Sequence, residues 1–160
     1  MLKLSDIPKH TQQFWYVLGE TLCNEIRKRV QKGHMNVDGV GFDDYSEEYA
    51  TKKGSGEAIY KGGSQASTST NPDMTLSGKT MANLKTKTAT TKHVMFGWLG
   101  LHGGVVDSLY GHKNYQIVEL ERGDPFAKGE MDIIHEHAVK DFNKNIEKYC
   151  RTPIIMKVGS

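Results

Sequence analysis

His135-Glu136-His137 is the constellation whose residue types most invite metal chemistry. A zincin helix sets its histidines four apart, so that both imidazoles reach one ion while a glutamate activates water. Here the spacing is two, and the flanking apolar residues repeat with helical period. The rings therefore diverge by roughly 200° around the axis. Val139 occupies the position where a four-residue spacing needs its second ligand. A small metal-assisted hydrolase using His135 or His137 is the alternative reading, not the leading one. His10, His34, His93, His102 and His112 are scattered through caps and loops, with His102 and His112 bracketing a glycine-containing loop. Glu119 and Glu121 form a carboxylate pair beside a turn, where acids are ordinarily solvated. Cys23 and Cys150 lack a Cys-x-x-Cys spacing and read as buried, free thiols. Neither a Gly-x-Ser-x-Gly elbow nor a helix-opening phosphate loop occurs. No residue is assigned a catalytic, cofactor-binding or metal-binding role, and no cofactor is implied.

The second chemical candidate is basic. Arg27, Lys28, Arg29 and Lys32 crowd one helix end, as in a nucleic-acid-binding module. The same residues suit the negative end of a helix dipole, which explains them more cheaply.

The elements that would position these groups follow from periodicity. Phe14, Val17, Leu18, Leu22, Ile26 and Val30 recur at spacings of three and four, which predicts a helix ending near Gly33. Ser5 or Asp6 is its expected cap, with Pro8 in the first turn. A short helix is expected from Ser46 to Lys53, capped by Ser46, with Tyr45 and Tyr49 sharing a face. Residues 54–73 are rich in Gly, Ser and Thr and predict a long mobile loop with little that can pack. Ser77 is the expected cap of a short helix with Met81 and Leu84 inward. Strands are predicted at 85–91 and 93–98, turning near Thr90-Thr91, with the second strand in the core. Leu99 to Gly104 reads as a connection and Val105 to Tyr110 as a short apolar element. Tyr115 to Glu121 fits helix or strand equally, and Gly123-Asp124-Pro125 breaks it. The last helix is expected over 129–149, with Ile133, Ile134, Ala138, Phe142, Ile146 and Tyr149 along one stripe. Residues 151–160 read as an extended tail.

The chain has 160 residues, a net charge of +2 and a charged fraction of 25%. One domain of this length can bury roughly 70% of its unfolded surface, so neither disulfide nor metal is needed to fold it. The charge balance excludes a highly basic nucleic-acid arm and an acidic disordered tail. No apolar run approaches a membrane span. The opening residues carry Asp6 and Pro8 where a secretory signal has its apolar core, so synthesis in the cytoplasm is expected.

The order of the pieces carries further information. Asp38-Gly39, Phe42, Tyr45-Ser46, Tyr49-Ala50 and Lys53-Gly54 form one segment. Leu76-Ser77-Gly78-Lys79-Thr80-Met81-Ala82-Asn83-Leu84 forms a second, followed by Val94-Met95-Phe96-Gly97-Trp98 and then Gly123-Asp124-Pro125-Phe126. This series resembles the virion-morphogenesis and tail-completion proteins of tailed bacteriophages over about residues 25 to 145. The resemblance implies a structural protein of the virion neck, part of the head–tail joining ring between connector and tail. It implies a homo-oligomeric ring, six copies favoured and twelve possible, touching connector or adaptor and tail proteins. Contact with channel DNA would be weak and non-specific. Trp15, Trp98, Leu101 and residues 153–158 are the expected sources of interface. The expected fold is α+β, an antiparallel sheet against a long N-terminal helix and a C-terminal helix, in a single domain over 1–160.

Overall fold

A computed structural model describes residues 10–58, 65–75, 77–98, 100–109 and 126–151. The fold is mixed helix and strand. In chain order it comprises α1 (Gln12–Gln31), α2 (Glu47–Gly54), α3 (Lys79–Ala82), β1 (Leu84–Ala89), β2 (Val94–Trp98), α4 (Leu101–Leu109) and α5 (Lys128–Arg151). The two strands form an antiparallel hairpin that lies against α1, and α1 also packs on α5.

The apolar stripe of α1 organises the core. Leu18, Leu22, Cys23, Ile26 and Val30 are buried, and Cys23, Ile26 and Val30 cluster with Phe42, Met81, Leu84 and Val106 from four later segments. Val17, at the N-terminal end of the stripe, stays 42% exposed. The helix begins later than a cap at Ser5 or Asp6 would place it. Thr11, not Ser5 or Asp6, is the cap, its side chain accepting the Phe14 N–H at 3.1 Å. Ser5, Asp6 and Pro8 lie outside the described residues.

The hairpin pairs Leu84 with Trp98 and Ala89 with Val94, and its register slips between Thr86 and Thr88. Thr90 turns the chain: its N–H donates to the His93 carbonyl, and its hydroxyl accepts from the Lys92 and His93 N–H groups. β2 reaches the core only in part: Phe96 and Trp98 pack against the buried cluster. No β2 residue is fully buried, whereas Leu84, at the start of β1, is. A two-stranded sheet has only one covered face, so alternate β2 side chains such as Met95 point to water.

Other expectations shift at their boundaries. Gly78, at φ 72°, begins α3 without a side-chain cap, so Ser77 is not the cap, and Leu84 belongs to β1. Helix α4 starts at Leu101 and runs through Gly103-Gly104, where a connection was expected; burial of Val106 holds it. Helix α5 continues to Arg151, which removes that residue from the expected tail. Its stripe at Ile133, Ile134, Ala138 and Ile146 is only half-buried, and Phe142 is exposed. Trp15 and Trp98, expected at an interface, are half-buried in their own chain. The expectation that little in 54–73 can pack is corrected for 65–73, where Pro72 and Asp73 are buried. Residues 59–64, the Tyr115–Glu121 element, the Gly123-Asp124-Pro125 break and residues 152–160 lie outside the described residues. No helix is long and apolar enough to cross a membrane among the described residues.

One glycine sets how closely α1 approaches the hairpin. A Cβ at Gly19 would sit 2.6 Å from Thr86 Oγ1 and 2.7 Å from Val94 Cγ2. Gly104 on α4 has no atom within 4 Å of the same position. Gly19→Ala is expected to destabilise the fold by about 1–3 kcal/mol through overpacking. Gly104→Ala should stabilise it by about 0.5–1 kcal/mol, because it removes backbone freedom from an exposed helix. Urea denaturation of the two variants checks both signs.

Candidate functional site

Helix α2 is built by its ends. Ser46 Oγ accepts the Tyr49 N–H, Glu47 and Glu48 occupy the favourable first turn, and Lys52 and Lys53 the last. One turn separates Tyr45 from Tyr49, whose rings meet edge to face at 4.8 Å. One further turn brings Lys53 to the inner side, where its side chain is 0% exposed.

The buried ammonium is fully engaged. Lys53 Nζ donates to Asp73 Oδ1 at 2.5 Å and to Tyr45 Oη at 3.4 Å, and it lies 4.7 Å from the centre of the Tyr45 ring. Asp73 Oδ1 also accepts from the Thr75 N–H, and Oδ2 accepts from Ser67 Oγ at 2.5 Å. Tyr45 Oη donates to the Asp73 carboxylate and accepts the Asp73 N–H. Gln65 donates to the carbonyls of Lys53 and Ser67, and Gln31 of α1 donates to Thr75 Oγ1. Burial foremost, and then the Asp73 charge, push the Tyr45 phenol above its ordinary value. This centre ties α1, α2 and residues 65–75 together. Its amine has no exposed surface and is held by two partners, Asp73 and Tyr45, so it is a fastening rather than a nucleophile.

Sequence reasoning missed it. Lys53 read as a dipole-satisfying helix end and Asp73 as loop. The available signal was the Lys-Gly that closes the Tyr-Ser-x-x-Tyr-Ala segment, eight residues after Tyr45.

The candidate groups named from the sequence are dispersed. His135 is exposed on α5, while His137 is half-buried and faces a cleft beside α1. No group of three or more His, Cys, Asp or Glu is placed to hold a metal ion among the described residues. His10 Nδ1 lies 2.7 Å from Asp141 Oδ2, with the ring stacked on Phe14. His34 contacts the Pro72 carbonyl, and His93 is exposed in the hairpin turn. The side chain of His102, and His112, Glu119 and Glu121, lie outside the described residues, as does the Cys150 side chain. Cys23 is enclosed, and burial first, then Glu20, pushes its thiol up to about 11. That keeps it protonated and inert at neutral pH.

The basic helix end divides in two. Arg27 turns inward and donates to the carbonyls of Met81 and Leu84 and to Asn24 Oδ1. Arg29 Nε donates to Glu130 Oε1 at 2.8 Å, while Glu130 Oε2 accepts the Ala127 N–H and closes the first turn of α5. Lys28, paired with Glu25, and Lys32 remain on the surface. The two arginines therefore hold the fold, which leaves two lysines for any polyanion.

Comparison with known protein families, curated proteins and solved structures finds no match.

Removing one partner of the buried pair strands the other. Asp73→Ala is expected to cost about 3–5 kcal/mol, and Lys53→Met with Asp73→Leu in one chain should cost less than Asp73→Ala alone. Chemical denaturation of the three chains checks this. The raised phenol of Tyr45 has its own consequence. The folded state keeps a proton that the unfolded chain loses near pH 10, so stability falls as pH climbs past that value. Tyr45→Phe should make this alkaline limb shallower in a series of melts.

Proposed function

We infer that the chain is a structural subunit of a tailed-phage virion, part of the neck or head–tail joining ring between connector and tail. What supports the reading is the kind of work done by the residues that carry the resemblance. Gly39 turns the chain at φ 75° and Ser46 caps α2. Tyr45 and Lys53 close the buried centre on Asp73, Gly78 opens α3, and Met81 and Leu84 fill the core. These segments build a scaffold around α1 and, among the described residues, bring no group of metal-binding side chains together. A subunit whose recurrent residues are spent on rigidity suits an assembly whose partners must meet fixed surfaces.

The reading makes the chain a building block rather than an enzyme. It calls for a closed ring, because one small subunit cannot surround a channel; six copies are favoured and twelve are the alternative. Neighbours would be connector or adaptor and tail proteins. Lys28 and Lys32 allow weak, salt-sensitive contact with channel DNA. Exposed Leu101 (91%) is a candidate for the interface.

Purified virions of the phage encoding the chain provide the test. Quantitative mass spectrometry should find six or twelve copies per particle, and an image reconstruction should place them on the head–tail axis. Particles made without the chain should accumulate as filled heads and separate tails. A single copy, a site off the axis, or full infectivity without the chain overturns the reading.

A further inference from the structure

Two surfaces at opposite ends of α1 carry opposite charge: one is lined mainly by basic side chains and the other by acids. The first is a cleft of about 330 Å³ between the start of α1 and the middle of α5. Phe14 and Val17 form its floor, and His137, Lys140 and Lys144 stand along its α5 wall. The acid that lines it, Asp141, faces His10 at 2.7 Å. Lys140 pairs with Glu136 across one turn, but both are well exposed, and such a pair is weak enough to exchange.

The second surface is the turn that follows α1. Buried Asn36 builds it: its side-chain oxygen accepts the N–H groups of Asp38 and Val40, its own N–H donates to the Val40 carbonyl, and its carbonyl accepts from Gly39. The result is a fixed projection with Val40 52% exposed at its tip. Acids flank that tip in the chain, the last of them, Glu48, pairing with Lys52. From Asp38 to Glu48 the chain carries Asp38, Asp43, Asp44, Glu47 and Glu48 and no basic residue, and all five are exposed.

We propose that the acidic Val40 turn of one copy docks in the Phe14–Val17 cleft of the next. Val40 meets the apolar floor, while Asp38 and Asp44 face Lys140 and Lys144. The occupant is a second copy because the matching surface belongs to this same chain. It cannot be reached within one molecule, since the two surfaces are separated by roughly 20–25 Å of helix. A contact between two different patches is head-to-tail, the kind that closes into a ring when the rotation permits. This inference rests on the ring reading above and specifies which faces make it.

Charge exchange tests it on the full chain. One variant carries Asp38→Lys and Asp44→Lys, and the other carries Lys140→Glu and Lys144→Glu. Each alone should associate about tenfold or more weakly than the wild type in sedimentation experiments up to millimolar protein. Mixed, they should recover association, since each reversed surface meets its complement; recovery also shows that both variants fold. Wild-type association should weaken with added salt. Zero-length carboxyl–amine cross-linking of a labelled and unlabelled mixture should join Asp38 or Asp44 of one copy to Lys140 or Lys144 of another. A wild type that stays monomeric, reversals without effect, a mixture that fails to recover, or cross-links confined to one chain each overturn the proposal. Virion imaging decides the neck reading separately. A ring on the axis built through other faces would retain that reading and reject this one.

Discussion

Everything in this fold leans on the apolar stripe of α1. A hairpin of two strands is at best marginal alone in water, and no third strand joins this hairpin among the described residues. Leu84 and the β2 residues Phe96 and Trp98 gain their cover from Cys23, Ile26, Val30 and their neighbours. The close approach at Gly19 lets the hairpin backbone settle on the helix rather than stand off it. Phe42, Met81 and Val106 reach the same cluster from other parts of the chain. One helix is thus the common wall for segments that scarcely support each other.

Few apolar residues are fully buried among the described residues, which leaves much of the positioning to polar groups. Three arrangements do this at three corners. Arg27 holds the α3–β1 junction by donating to the Met81 carbonyl of α3 and the Leu84 carbonyl of β1. Arg29 meets Glu130 at the start of α5, where the acid also caps the first turn. Lys53 meets Asp73 beneath α2. Buried ion pairs give little net stability, since desolvation offsets attraction. Their effect is selective: a shifted loop or helix would leave a charge buried without its partner. Geometry is fixed here by the cost of being wrong.

That division explains what was legible in the sequence. The interiors of α1 and α5 were readable because their apolar residues repeat every three or four positions, and the hairpin because Thr90-Thr91 separates two β-prone runs. Ser46 was readable as a cap because capping is local chemistry. The Lys53–Asp73 pair was not, since nothing within a helical turn of either residue signals the other. Residues 65–73 looked unable to pack because they lack apolar groups, yet Gln65, Ser67 and Asp73 anchor them through hydrogen bonds. Helix α4 was hidden by Gly103-Gly104, whose poor propensity is outweighed by Val106 in the core. The basic cluster was visible as a cluster, but only the fold separates inward arginines from outward lysines.

The same separation bears on the proposed contact between copies of the chain. Arginine is the stronger interface residue, because its planar fork binds carboxylates in pairs. Here both arginines of α1 are engaged with partners of their own chain, and Arg151 ends the last described helix. The cations left outward on α1 and along the cleft are lysines, compact charges on flexible stems. Contacts made through them are readily screened and gain little geometric specificity. Specificity must then come from shape, and the Asn36-braced turn supplies a rigid one. A weak, salt-sensitive pairwise contact made specific by a fixed projection suits a closed assembly, where each subunit is held twice and the second contact forms within an existing complex.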